Sequence, residues 1–154
     1  MIYILLIAVL AAADQLIKIL VINQLGMGNQ IAVIKDFFYI NCIPNYGIAF
    51  GKMENMQGMV IAVTGAIMLG MCIYIFIKHN TESPLMLIIL SMIVGGGIGN
   101  IIDRIRIGYV IDYLDFRVWS YIFNFADICV VVGCFAMIFL LLWDIKKEKE
   151  QKNE

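Results

Sequence analysis

Four long apolar runs dominate the sequence and leave few folds open to it. They cover about residues 2–22, 59–77, 84–102 and 127–143, and polar segments separate them. Because about 20 apolar residues are needed to cross a ~30 Å hydrocarbon core, each run predicts one transmembrane helix. A hydrophobic fraction of 62% and a charged fraction of 15% are also typical of polytopic membrane proteins. The sequence therefore predicts one integral membrane domain over residues 1–154.

The distribution of Lys and Arg among the polar segments bears on the orientation expected in the membrane. With four spans, segments 23–56 and 103–126 share one side of the membrane, and loop 78–83 and tail 144–154 share the other. Lys and Arg are divided five against five between the two sides, so the positive-inside rule alone does not decide. The lysines clustered after the last run favour cytoplasmic termini, which places both long segments outside.

Composition and motif content exclude several functions. The net charge of -1, with no basic stripe before the tail, is not that of a nucleic-acid-binding protein. The four cysteines form no CxxC pair, which disfavours a zinc site or a disulfide framework. The single histidine, His79, lies in the loop on the other side of the membrane from the polar segments. A Ser–His dyad and an HExxH zinc site are thereby excluded, and we expect no metal site.

Two aspartates border the last two apolar runs. Asp112 follows the third run, and Asp127 begins the fourth. A carboxylate at the edge of a bilayer is costly to insert and is by default a functional-site hypothesis. Two facing carboxylates can share one proton, so that one activates water while the other protonates a leaving amine. We predict Asp112 and Asp127 as such a pair, with Asp127 favoured as the base by the helix dipole.

Each aspartate also has a structural interpretation. Asn124 and Asp127 have the spacing of a capping box at the start of the fourth helix. Asp112 is alternatively a solvated interfacial carboxylate, and Asp115 is a rival of that kind. Taken singly, neither aspartate decides between structure and catalysis.

Other polar residues lie within or beside the apolar runs. Asp14 and Lys18 are four residues apart, so they share a helix face, and a structural ion pair is favoured over substrate contact. The stretch from Asn45 to Gly47 fits a turn as well as it fits a binding site. Phe37 to Ile40, just before it, resembles a short strand.

The third run ends in a glycine-rich, polar sequence. Gly95 and Gly99 form a GxxxG pair that predicts close packing against another helix. Asn100 and Arg104 share a face beyond it, and Arg104 is suited to orient a carboxylate or to bind a substrate carbonyl. For Asp103 the favoured interpretation is a local pair with Arg104 at a polar helix end.

Together these elements resemble lipoprotein signal peptidase, also called signal peptidase II. The resemblance is carried by DQxxK in the first run, NxGxAFG in the first outer segment, GNxxDR-x3-GxVxD after the third run, and FNxAD at the fourth. It implies an all-α membrane fold: a four-transmembrane-helix bundle with a small extracytoplasmic β-cradle and a short interfacial helix. Tyr113 stands where Phe commonly follows the aspartate.

The resemblance also implies a function. Such enzymes are aspartyl endopeptidases of the bacterial inner or plasma membrane that cut diacylglyceryl-modified prolipoproteins just before the lipidated cysteine. They need no cofactor, act among membrane lipids and are inhibited by the cyclic peptide globomycin. The catalytic pair falls on Asp112 and Asp127. Substrate-binding or supporting positions fall on Asn45, Gly47, Asn100, Asp103, Arg104, Asn124, Asp14 and Lys18.

Two other functions fit the sequence less well. A small ion- or proton-coupled transporter would use the same membrane carboxylates as a relay, but no internal repeat is visible. A non-catalytic membrane scaffold would leave the outer polar cluster unexplained.

Overall fold

The computed structural model describes residues 1–47 and 57–152, which form four long helices and one small sheet. The shortest helix has 22 residues and rises about 33 Å at 1.5 Å per residue. All four are long and apolar enough to cross a membrane, so the chain is a multi-pass membrane protein, as predicted. Their bounds are α1 Ile2–Leu25, α2 Gln57–Lys78, α3 Pro84–Ile107 and α4 Phe125–Lys152.

Two of the helices extend beyond the apolar runs that predict them. The third run ends near residue 102, yet α3 continues to Ile107, where Gly108 in a left-handed conformation terminates it. Asp103 and Arg104 therefore lie in the helix rather than in the outer segment. The fourth run ends near residue 143, but α4 continues through the charged tail to Lys152. Lys and Glu are good helix formers, so the loss of hydrophobicity there does not end the helix.

Glycines allow α3 to pack closely against its neighbours. Added Cβ atoms at Gly95 and Gly99 would both collide with α1, and the one at Gly99 would lie 2.6 Å from Asp14 Oδ2. A Cβ at Gly96 would meet the backbone oxygen of Ala126 in α4. The predicted GxxxG contact is thus confirmed, with α1 as the partner helix. These contacts bring the polar residues of α1, α3 and α4 to a common level.

The sheet is antiparallel, with strand order β1-β2-β3-β4. The predicted strand at Phe37–Ile40 is confirmed as β2, which spans Phe38–Asn45, so the stretch from Asn45 to Gly47 that fits a turn begins within the strand. Its hairpin partner β1 has no counterpart in the sequence prediction. The bounds are β1 Gln30–Ile34, β2 Phe38–Asn45, β3 Val110–Phe116 and β4 Ile122–Phe123.

The sheet places one of the two aspartates beside the helices. Asp112 lies in β3, opposite Ile43 of β2. The aromatic segment 109–123 forms β3, a turn and β4. In the described ranges 1–47 and 57–152, no short interfacial helix accompanies the four long ones. The end of the NxGxAFG motif, residues 49–51, lies outside the described residues.

Candidate active site

Asp112 is a buried carboxylate held by two amides. The residue is 2% exposed. Its Oδ2 accepts a hydrogen bond from Asn45 Nδ2 and its Oδ1 accepts one from Asn124 Nδ2, both at 2.7 Å. Burial, and then the negative charge of Asp127, raises the pKa of Asp112 to about 6, although the Asn45 and Asn124 hydrogen bonds oppose the rise. Asp112 is therefore a carboxyl group that can hold a proton close to neutral pH.

Asp127 is fixed in the first turn of α4. Its backbone N–H donates to Asn124 Oδ1 at 2.9 Å, and its Oδ2 accepts from the Asn124 backbone N–H at 3.2 Å. This reciprocal pair confirms the predicted capping box. The second oxygen, Oδ1, accepts from Asn100 Nδ2 at 2.7 Å. The cap accounts for only one of the two carboxylate oxygens.

Asn124 connects the two aspartates. It is fully buried, and it binds Asp112 through its side-chain amide and Asp127 through its backbone N–H. The same side-chain amide also donates to Asn100 Oδ1 at 3.1 Å. Each of the four carboxylate oxygens accepts one hydrogen bond in this network, and a carboxylate oxygen has two lone pairs. Each carboxylate thus keeps acceptor capacity for a water molecule or a proton.

A cavity of about 420 Å³ opens beside this network. Its polar wall is formed by Asn45, Asn100, Arg104 and Asp127. An apolar groove of about 510 Å³ shares Asp127 with the cavity. Its aromatic lining comes from Phe116, Trp119, Tyr121 and Phe123. The arrangement suits a ligand with a polar centre and a large apolar part.

Gly47 and Arg104 shape the entrance from β2. The Gly47 N–H donates to Asn45 Oδ1 at 2.8 Å, which leaves the Asn45 NH2 group directed to Asp112. Gly47 has φ +84, and a Cβ there would lie 3.2 Å from the Arg104 guanidinium. Arg104 in turn donates to the Asn100 carbonyl at 3.3 Å. A side chain at position 47 would therefore be strained and would displace the arginine.

A buried ion cluster lies behind the two aspartates. Lys18 Nζ is 2.7 Å from Asp14 Oδ2 and 2.7 Å from Asp103 Oδ2. The predicted Asp14–Lys18 pair is confirmed, but the prediction of a local Asp103–Arg104 pair was wrong. Adjacent helix residues do not face each other, so Asp103 meets α1 while Arg104 lines the cavity.

Comparison with known proteins identifies the family. The sequence profile described as Signal peptidase (SPase) II matches residues 6–143. The chain belongs to the signal peptidase II family. It is 38% identical to the lipoprotein signal peptidase of Halothermothrix orenii, over 96% of this chain and 98% of that protein. It is 40% identical to that of Clostridioides difficile, over 95% and 99%.

A solved structure shows the same fold. A bacterial membrane enzyme determined by the in meso method at 2.3 Å resolution superimposes with a TM-score of 0.83 and 30% sequence identity. The alignment covers 96% of this chain and 92% of that one. The four-helix bundle with a small sheet is thus the architecture expected from the motifs.

Asp115 is not the solvated rival of Asp112 that the sequence suggests. Its side chain is buried, with the residue only 5% exposed. It accepts a hydrogen bond from Asn41 Nδ2 at 3.0 Å and pairs with Arg117 Nε at 3.2 Å. The prediction was wrong because β3 is an inner strand, paired with β2 and β4, which a local sequence pattern does not show. The partners of Asp115 belong to the sheet and the turn after it.

Two further residues, Gln15 and Tyr113, contact this network although they were not predicted as site residues. Gln15 donates to Asp103 Oδ1 at 2.8 Å and to the Gly99 carbonyl at 3.1 Å. The Tyr113 hydroxyl accepts from the Phe125 N–H at 3.0 Å, at the start of α4, and burial raises the pKa of Tyr113. A glutamine inside an apolar helix was the available signal for the first. The replacement of a common Phe by Tyr was the signal for the second.

Proposed function

We propose that this chain is a membrane aspartyl endopeptidase that removes the signal peptide from diacylglyceryl-modified prolipoproteins just before the lipidated cysteine. The observation that carries the proposal is that one buried residue, Asn124, binds both Asp112 and Asp127. Membership in the signal peptidase II family, whose relatives are named lipoprotein signal peptidases, supports the substrate. The reaction is hydrolysis of one peptide bond.

The chemistry divides between the two carboxyl groups. Burial and the negative charge of Asp127 raise the pKa of Asp112, so the reactive form of the pair carries its proton on Asp112. Asp127, ionised, removes a proton from water as that water attacks the scissile carbonyl. Asp112, protonated, donates to the developing oxyanion and then to the leaving amine. Its pKa of about 6 keeps a proton available near neutral pH.

The surrounding groups bind the substrate. The amides of Asn45 and Asn100 and the Arg104 guanidinium line the cavity and supply hydrogen-bond donors for the peptide and its oxyanion. The apolar groove beside Asp127 receives an apolar part of the substrate. No metal ion takes part in this scheme.

The proposed location follows from the helices. Four spans put both termini on one side, and the lysines near the end of α4 favour the cytoplasm for that side. The carboxylates then lie at the outer face of the bacterial inner or plasma membrane, among membrane lipids. There the lipid chains of a prolipoprotein would anchor its cysteine. Inhibition by the cyclic peptide globomycin is expected from membership in the family.

The test is cleavage of a lipidated preprolipoprotein by the purified protein in detergent, followed by product mass. We expect wild type to cut before the modified cysteine. Asp112→Asn and Asp127→Asn should each lose activity by about 10²–10⁴-fold, while each variant still unfolds in one cooperative thermal transition. Asp115→Asn is the matched control on the same strand and should remain active. Loss in Asp115→Asn with retention in Asp112→Asn would refute the pair, and inhibition by EDTA that zinc reverses would refute the chemistry.

A further inference from the structure

The ammonium group of Lys18 uses all of its donors inside the protein. The residue is 1% exposed. Its Nζ lies 2.7 Å from Asp14 Oδ2, 2.7 Å from Asp103 Oδ2 and 2.9 Å from Asn100 Oδ1. An ammonium carries three N–H donors and no acceptor. Lys18 is thus fully satisfied by two carboxylates and one amide.

Each of these three partners also accepts or donates a hydrogen bond at α4 or β3, the two elements that carry the aspartates. Asp14 Oδ1 accepts from the Ala126 N–H at 3.0 Å, one residue before Asp127. Asp103 Oδ2 accepts from the Ile111 N–H at 3.3 Å, one residue before Asp112. The third partner, Asn100, donates directly to Asp127 Oδ1 at 2.7 Å. Three hydrogen-bond paths therefore run from one ammonium group to α4 and β3.

We infer that Lys18 is a positioning residue for the two aspartates, and that it acts chiefly by fixing the orientation of the Asn100 amide. This inference rests on the proposed function. An Asn amide has a donor end and an acceptor end, and a cation accepts no hydrogen bond. With Lys18 at the oxygen, the NH2 group of Asn100 must face Asp127. Without Lys18 the Asn100 oxygen keeps only the longer hydrogen bond from Asn124 Nδ2, at 3.1 Å, so the Asn100 amide is held less firmly against Asp127.

A purely structural role explains this cluster less well. Removing an ammonium from water costs several kcal/mol, and apolar replacements of buried ion pairs are often neutral or stabilising. The contacts between α1 and α3 are already provided by Gly95 and Gly99. What an apolar side chain at position 18 cannot do is distinguish the two ends of the Asn100 amide. The inference is therefore about geometry at the reacting groups.

Two variants test it in the full-length protein. The double variant Lys18→Met/Asp103→Asn removes one positive and one negative charge, so the net charge of the cluster is kept. Lys18→Arg keeps the cation but replaces three diverging donors by a planar fork. Because misplacement of a reacting group by about 1 Å can cost 10²-fold in rate, we expect kcat to fall about 10–100-fold in both. KM should stay within about twofold and the folded state should be retained, because Asn45, Arg104 and the apolar groove still bind the substrate.

Ser91→Ala is the control, because Ser91 is a buried polar residue of α3 whose hydroxyl donates to the Leu87 carbonyl of its own helix, away from Lys18 and Asn100. It should keep the wild-type kcat. Wild-type kcat in both Lys18 variants would overturn the inference, and so would loss of the fold in both, which would leave Lys18 a structural residue only. A rise in KM with unchanged kcat would also overturn it. Failure of the proposed function is seen separately, as full activity of Asp112→Asn and Asp127→Asn.

Discussion

Replacement of Asn45 by alanine should move the alkaline limb of the pH–rate profile to higher pH. Asn45 donates to Asp112 at 2.7 Å and so stabilises the ionised carboxylate. A hydrogen bond to a charged group contributes about 1.5–3 kcal/mol, and 1.36 kcal/mol corresponds to one pKa unit. Because Asn45 is exposed and water can replace its amide, we expect an effect at the lower end of this energy range, which raises the pKa of Asp112 by about one unit. If Asp112 is the general acid, its proton is then retained to higher pH.

The assay is kcat/KM for cleavage of a lipidated preprolipoprotein across the pH range, in detergent. Wild type should lose activity as pH rises through about 6, the pKa of Asp112. Asn41→Ala is the matched control, because Asn41 makes the equivalent bond to Asp115 from the same strand. It should leave the limb in place. A limb that moves to lower pH in Asn45→Ala, or that moves equally in both variants, would refute the reasoning.

Two further predictions concern stability in detergent. Gly99→Ala places a Cβ 2.6 Å from Asp14 Oδ2 and should destabilise the protein by about 1–3 kcal/mol in thermal unfolding. Gly70→Ala is the control and should keep wild-type stability, because a Cβ there meets nothing within 4 Å. Equal destabilisation in both variants would contradict the predicted collision. The pKa of Asp112 is about 6 in the folded protein, above its ordinary value of 3.8, so the folded state binds the proton more tightly than the unfolded state does. The free energy of unfolding should therefore fall as the pH rises from about 4 to 6, and it should level off above that range. The fall is about 3 kcal/mol, and Asp112→Asn should abolish it; an unchanged pH dependence in that variant would contradict the assignment.

Features that depend on local spacing were predictable from the sequence. The four spans follow from run length, and the GxxxG contact follows from a four-residue period. The capping box of Asn124 and Asp127 also lies within one turn, and the structure has both of its hydrogen bonds. The family motifs predicted more than spacing alone did. They identified residues from five elements that the fold brings into one hydrogen-bonded network.

Partners distant in the chain were not predictable from spacing. Asp103 was assigned to its neighbour Arg104, whereas its cation comes from α1, 85 positions away. Asp115 was expected to be solvated because nothing in its own segment shows that Asn41 of β2 binds it. Strand β1 was missed for the same reason, since its pairing with β2 is visible only once the hairpin is built. Polar residues in an apolar chain have few partners, and the choice among them is made by tertiary packing.

The central claim is that Asp112 and Asp127 act as one pair, in which the charge of Asp127 helps to raise the pKa of Asp112. The most direct measurement is the titration of the Asp112 carboxyl group, by NMR of protein with ¹³C-labelled aspartate carboxyls in detergent. We predict a pKa of about 6 in wild type, and a lower value in Asp127→Asn, because the Asp127 charge contributes to the rise. Asp115→Asn should leave the value unchanged. An Asp112 that titrates near 3.8 in wild type, or identically with and without the Asp127 carboxylate, would contradict the account.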